Sequence, residues 1–213
     1  MIVIGIVGSP AGGKSTVAGY LQDLGAAWIN ADLIARQVLE RADIQQQLLH
    51  HFGSKIADND GRVDRAKLAL EVFGDDASKR LALTYLESLI HPKTRQRIYE
   101  ELLAAHRSGR KVAVLDVPLM FEVGWDRGCD EIWCVDATWQ TRLQRANSRG
   151  WDADQLRARE ANQMSIEEKK RRSTVVIMND GSLDELFETI DRLWRSLLIR
   201  SPQTETHCFQ PDT

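Results

Sequence analysis

The sequence predicts a three-layer α/β fold: a five-stranded parallel sheet between helices, with an inserted helical subdomain and a helical lid. Three observations lead there. Short β-branched runs ending in turn residues alternate with helical patterns along the chain. The first run passes straight into a glycine-rich turn and then a helix. The segment between the second and third runs is too long for a simple crossover between parallel strands.

Taken in order, Ile2–Val7 reads as a strand buried on both faces. A helix starts near Gly13 and runs to about Leu24, with Gly25 as its stop. Ala27–Asn30 is the second strand, and Asp32 sits where an N-cap would, ahead of Leu33–Leu39. The stretch 41–110 is mostly helical and forms the insertion, with Asp58-Asn59-Asp60-Gly61 as a turn inside it. Pro92 falls within the periodic segment 78–106, so one helix is expected to end near His91 and another to begin. Val112–Val117 and Glu131–Val135 are further strands, and a helix follows from about Trp139. Residues 142–172 are charged and helical and make the lid. Thr174–Met178 is the last strand, residues 179–182 a turn, and Leu183–Ile199 a closing amphipathic helix. Residues 1–200 thus read as one domain, and the proline-containing tail 201–213 as disordered.

Composition narrows the class. A chain of 213 residues with 43% hydrophobic content can bury a sizeable core. A net charge of −3 implies no global pull toward nucleic acid or a membrane surface. The three cysteines, Cys129, Cys134 and Cys208, are odd in number and irregularly spaced, so neither a disulfide framework nor a zinc site is expected. The apolar N-terminus is short and lacks a basic flank, and no stretch approaches the ~18 apolar residues of a membrane span. A soluble, cytoplasmic protein is the expectation, without nucleic-acid or membrane partners; a monomer is favoured, and the sequence leaves the oligomeric state open.

Gly8-Ser9-Pro10-Ala11-Gly12-Gly13-Lys14-Ser15 satisfies the phosphate-loop pattern Gly-x4-Gly-Lys-Ser. Such a loop curls so that successive amides point at phosphate oxygens, and the helix behind it adds its positive dipole end. The segment from Gly8 through Ala11, Gly12 and Gly13 to Lys14, Ser15 and Thr16 is therefore the candidate ATP site. Lys14 is expected on the β- and γ-phosphates and the Ser15 hydroxyl on Mg²⁺. Pro10 has no amide to donate, which the outer edge of the loop tolerates. No Asn-Lys-x-Asp base-reading motif is present, and the chain is short for a motor, which points to a kinase of a small acceptor.

Four further features carry both a chemical and a structural reading. Asp32, past the second strand, can orient or deprotonate an acceptor hydroxyl, or cap a helix. Asp116 ends an apolar strand, as a carboxylate that holds Mg²⁺ through water does, or starts a turn before Pro118. His91 and Arg95 reach substrate, or His91-Pro92 marks a helix break. One or two of Arg142, Arg145, Arg149, Arg157 and Arg159 close over the triphosphate, or all form a solvated face balanced by Asp152, Asp154, Glu160, Glu167 and Glu168.

Several separated motifs then occur in order. They are Asn30-Ala31-Asp32-Leu33-Ile34-Ala35-Arg36; Gly61-Arg62-Val63-Asp64-Arg65 with Leu68 and Phe73; Leu89-Ile90-His91-Pro92 with Arg95; Val117-Pro118-Leu119-Met120-Phe121-Glu122; Gln140-Thr141-Arg142-Leu143 with Arg159 and Gln163; and Asn179 with Gly181-Ser182. In these the chain resembles the dephospho-coenzyme A kinases, from near its start to about residue 198. The resemblance implies the P-loop NTPase fold and transfer of the ATP γ-phosphate to the ribose 3′-hydroxyl of dephospho-coenzyme A, with Mg²⁺. It implies Asp32 as base, Arg36, His91, Arg95 and Glu122 on the acceptor side, and Arg142, Arg145, Arg149 and Asn179 with Lys14 on the nucleotide side. The chain departs from the family in Ser9-Pro10-Ala11-Gly12-Gly13, where Gly-Ile-Gly-Ser-Gly is common, and in Asn30, where an Asp is common. A longer lid segment around Asn147–Gly150 leaves open whether Arg145 or Arg149 meets the phosphates. A kinase of another hydroxyl acceptor and a nucleotide-sensing module without turnover are the alternative readings.

Overall fold

The computed structural model describes residues 1–74 and 76–200. Its strands are β1 (Ile2–Gly8), β2 (Ala27–Asn30), β3 (Val112–Asp116), β4 (Glu131–Asp136) and β5 (Val175–Met178). They agree with the sequence reading to within one residue at each end. The helices are α1 (Lys14–Asp23), α2 (Ala31–Leu39), α3 (Ala42–Phe52), α4 (Arg65–Val72), α5 (Ala77–Arg107), α6 (Trp139–Asn147), α7 (Ala153–Ala161), α8 (Ile166–Arg172) and α9 (Leu183–Arg200). Two compact units result: Ala31–Glu100, and Met1–Asn30 together with the chain from Glu101 onward. The expectation for the tail 201–213 lies outside the described residues.

The strands pair in the order β2-β3-β1-β4-β5, all parallel. β1 is central because it is apolar on both faces and needs cover from both. On one face Ile4, Ile6, Val114, Trp133, Val135 and Ile177 follow the two-residue period of a strand and meet Val17, Ala18 and Leu21 of α1 and Leu186, Ile190 and Leu197 of α9. At Gly5 the approach is close: a Cβ there would lie 2.5 Å from the sulfur of Met120, which follows β3. The chain leaves β1 toward β2 and β3 on one side and later crosses to β4 on the other. That reversal opens a crevice at the carboxyl end of β1, where open parallel sheets bind ligands.

The second unit holds α2, α3, α4 and most of α5, packed through Ile34, Val38, Ile44, Leu48, Phe52, Leu68, Val72 and Ile98. Its turn at residues 58–61 closes as expected. The Asp58 carboxylate accepts from the amides of Asp60 (2.9 Å) and Arg62 (2.8 Å), and Gly61 takes φ +76°.

Two expectations fail here. No helix ends near His91: α5 runs without a break from Ala77 to Arg107 with Pro92 inside it. The amide that proline lacks would have bonded Ser88, and both residues are exposed, so water satisfies the freed carbonyl. Nor is Asp32 an N-cap, because α2 begins at Ala31 and Asp32 lies in its first turn. A carboxylate there still favours the helix through the dipole.

Cys129 and Cys134 are free thiols, and burial pushes them up to about 12 and about 11 respectively, which keeps them inert. No helix among the described residues is long and apolar enough to cross a membrane.

Leu21, fully buried between the sheet and α9, reports on this packing. Leu21→Ala is expected to cost about 3 kcal/mol in urea denaturation, the usual penalty for a core cavity. A loss below about 1 kcal/mol would mean that α1 is not packed as described.

Candidate active site

The phosphate loop is shaped by what surrounds it. Gly8 closes β1 at φ +148°, and a Cβ there would sit 1.9 Å from the Val135 carbonyl oxygen of the neighbouring strand. A glycine is therefore obligatory. The chain turns at Ser9–Gly12, where the Gly12 amide donates to the Ser9 carbonyl (3.1 Å). Ala11 takes φ +60°, a left-handed conformation that costs a residue with a Cβ about 1 kcal/mol. Its methyl group is buried against Ala146 of α6 and Leu156 of α7, which offsets the strain. Gly13 at φ +107° then leads into α1.

Side chains from other elements hold the loop from outside. The Gly12 carbonyl accepts from Asn179 Nδ2 (2.9 Å) and from Arg145 Nη1 (3.3 Å). Arg145 Nη2 also donates to the Asn179 carbonyl (2.9 Å). In a trans peptide the carbonyl and the next amide point in opposite directions, so this grip turns the Gly13 N–H away from Asn179. The Ser9 hydroxyl donates to Asp136 Oδ1 (2.5 Å), at the end of β4. Lys170 Nζ of α8 lies 2.8 Å from the other oxygen of Asp136. Burial alone would push the Asp136 carboxyl up, but the Lys170 ammonium and the Ser9 hydroxyl outweigh it and hold it below its ordinary value.

Lys14 Nζ rests on the carbonyl oxygens of Gly8 (3.3 Å) and Ser9 (3.1 Å). Ser15 is exposed in the first turn of α1, with Thr16 beside it. The Thr16 amide donates to the Gly13 carbonyl (3.0 Å), and the turn ahead of it carries the positive end of the helix dipole, which makes this N-terminus an anion site. Asp116 is buried at the carboxyl end of β3, in register with Ile6 of β1, and accepts from Asn30 Nδ2 (3.4 Å). One hydroxyl and one carboxylate are hard oxygen donors, which suits Mg²⁺: that ion keeps most of its water and phosphate ligands and needs few from protein. Among the described residues no cluster of three His, Cys, Asp or Glu side chains forms a protein-only metal site.

The arginines of residues 142–172 separate. Arg145 reaches the loop. Arg142 is buried, donating to the Ala137 carbonyl (3.0 Å) and pairing with Glu160. Arg157 and Arg159 lie over the rings of Trp139 and Trp151. Arg149 is exposed beyond the end of α6. Glu122 accepts from the Met164 amide (2.7 Å) between α7 and α8.

In the helical unit, Asp32 and Arg36 are exposed on α2, and His91 and Arg95 are exposed on α5. A cavity of about 270 Å³ within this unit is lined by other residues of the same helices, among them Lys93 and Arg97, and by Arg41, which precedes α3. Asp43 bonds Arg41 (3.0 Å) and Lys93 (3.0 Å), and the Arg41 guanidinium, then the Lys93 ammonium, holds its carboxyl far below the carboxylate range.

Sequence reasoning missed Asp136, Lys169 and Lys170. Asp136 carries a legible signal, since it ends an apolar strand just as Asp116 does. The lysines sit in the run Lys169–Arg172, whose composition matches a solvated helix face, and only the fold shows which of them turn inward.

A central parallel strand feeding a Gly-x4-Gly-Lys-Ser loop, gripped from the ends of β4 and β5, defines a nucleotide-binding protein of the P-loop kinase class. The family model for dephospho-CoA kinase matches residues 2–185. The dephospho-CoA kinase of Rhodopirellula baltica is 39% identical over 196 residues, covering 92% of this chain and 91% of the relative. That of Carboxydothermus hydrogenoformans is 40% identical, covering 88% and 90%. The crystal structure of TT1252 from Thermus thermophilus superposes with a TM-score of 0.78 at 34% identity, covering 92% of this chain and 97% of that one. The chain belongs to the dephospho-CoA kinase family.

The Asp136 cluster has a pH signature. Its lowered folded-state pKa stabilises the fold fully above the unfolded value of about 3.9, and the contribution is lost as pH falls through the folded value. Asp136→Asn is therefore expected to melt lower than the parent at pH 7, with the gap shrinking below about pH 4. A gap that stays constant down to pH 2 would contradict the ion pair.

Proposed function

We propose that the chain transfers the γ-phosphate of ATP to the ribose 3′-hydroxyl of dephospho-coenzyme A, giving coenzyme A and ADP, the last step of coenzyme A synthesis. The observation that carries this is the phosphate loop gripped by Asn179, Arg145 and Asp136 in a chain of this family. Phosphoryl transfer asks for little covalent chemistry from the protein; its work is positioning and charge neutralisation.

In this reading the amides from Gly13 to Ser15 cradle the phosphates. Lys14 leaves the carbonyls of Gly8 and Ser9 and moves to the β- and γ-oxygens. Arg145, already bonded to the Gly12 carbonyl, adds positive charge beside the transferring group. Ser15 and, through water, Asp116 would hold Mg²⁺, which supplies neutralisation of the phosphate oxygens. Asp32 follows β2 by two residues and is the group assigned to orient the 3′-hydroxyl and accept its proton. Arg36, His91 and Arg95 in the helical unit, and Glu122, serve the acceptor side. Residues 142–172 act as the lid, which excludes water so that the acceptor hydroxyl, not solvent, receives the phosphoryl group.

The test is acceptor-dependent ADP release. Dephospho-coenzyme A is expected to stimulate it far above gluconate, shikimate or uridine. Stimulation by another of these acceptors would reassign the substrate, and stimulation by none would point to a nucleotide sensor. Asp32→Asn is expected to lower kcat at least ~100-fold, the lower end of what general-base catalysis supplies, while ATP still binds. Near-normal turnover in that variant would remove Asp32 from the reaction.

A further inference from the structure

The Gly8 carbonyl accepts two ammonium groups. One is Lys14 at 3.3 Å, the other Lys169 of α8 at 3.3 Å. Lys169 is 3% exposed, and its second hydrogen bond goes to Gln163 Oε1 (2.7 Å), in the segment joining α7 to α8. Both of these acceptors are neutral oxygens. Burying an ammonium on such partners is costly. Burial pushes its pKa down, while Glu122, Asp136 and Glu160 at longer range favour the charged form.

We infer that Lys169 is a second lysine of the phosphate site: a positioning residue that keeps the Gly8 carbonyl fastened when Lys14 turns to the nucleotide. The inference rests on the reading of Lys14 given above. When Lys14 moves to the phosphates, Gly8 and Ser9 lose its bonds at the moment the loop must keep its curl. Lys169 retains the Gly8 bond without touching the nucleotide. It also joins the loop to Gln163, next to Met164, whose amide is held by Glu122. Loop and α7–α8 segment thus share one buried cation, whose charge adds to the positive potential under the phosphates. A cavity of about 490 Å³, lined by Ser9, Pro10, Arg142, Gln163, Met164 and Lys169 among others, adjoins it and gives room for a larger cation.

The variants are Lys169→Met, which keeps the length and removes the charge, and Lys169→Arg, which keeps the charge. Calorimetric titration with Mg-ATP is expected to show affinity falling about tenfold in K169M, the loss of one charge-assisted hydrogen bond. KM for ATP should rise in step, kcat should stay within about threefold, and K169R should recover most of the affinity. Equal ATP affinity in K169M and the parent, with or without a lower Tm, would reduce Lys169 to a packing role and overturn the inference. So would an Arg variant that folds and binds no better than Met. If K169M does not fold, Gln163→Leu removes the other acceptor without touching Lys169: weaker ATP binding supports the inference, and unchanged binding overturns it. Lys14→Ala separates the two readings. Loss of ATP binding there but not in K169M sinks this inference alone, whereas full ATP binding in K14A sinks the role of Lys14 and the hand-over with it.

Discussion

The Gly12 carbonyl, held by Asn179 at 2.9 Å and Arg145 at 3.3 Å, determines which way the next peptide amide points. A glycine-rich loop has many conformations to choose from, and its freedom is an entropic cost when it must bind. Here the choice is made by side chains outside the loop. Asn179 follows the last strand and Arg145 lies on α6, so neither can act until the sheet is assembled and α6 is in place. Gly13 is obligatory in the same arrangement, since a Cβ on it would lie 2.1 Å from Asn179 Nδ2. The chain's most local motif is thus completed by residues more than 130 positions away.

Asp136 does the same for the outer half of the loop. It takes the Ser9 hydroxyl on one oxygen and the Lys170 ammonium on the other. Ser9 stands where the family commonly has glycine, and a Cβ at Gly12, where the family commonly has serine, would lie 2.7 Å from the Ser9 hydroxyl oxygen. The same Cβ would also lie 2.9 Å from the Val135 carbonyl oxygen, so the Ser9 side chain and the neighbouring strand together leave position 12 to glycine. With the Ala11 methyl seated on Ala146 and Leu156, Ser9 and Ala11 each have an anchor in β4, α6 or α7. The same segments carry Arg142, Arg145, Arg157 and Arg159, so loop and residues 139–161 form one connected set of contacts within their unit.

Much of this was legible beforehand. The five strands are apolar runs bounded by turn residues, and runs of that kind depend little on long-range context. The phosphate loop is legible because its chemistry demands glycines and a lysine at fixed spacing. The family resemblance, built on separated motifs, agrees with the family match over residues 2–185. What stayed hidden was set by tertiary position. Pro92 sits inside α5 because the bond it removes faces water, and no local signal states that. Asp32 lies one position further into α2 than a cap because the helix starts directly at the end of β2. Which of Arg145 and Arg149 reaches the loop depends on which side of α6 meets it and on where α6 ends, and Lys169 is indistinguishable in sequence from its solvated neighbours.

The chemistry itself is tested most directly by the product. Phosphorus NMR of the chain with Mg-ATP and dephospho-coenzyme A should show a new phosphomonoester resonance on the ribose of the acceptor, appearing in step with ADP. ADP accompanied by inorganic phosphate, with no phosphomonoester formed, would contradict transfer to the acceptor and leave a loop that binds ATP and merely hydrolyses it.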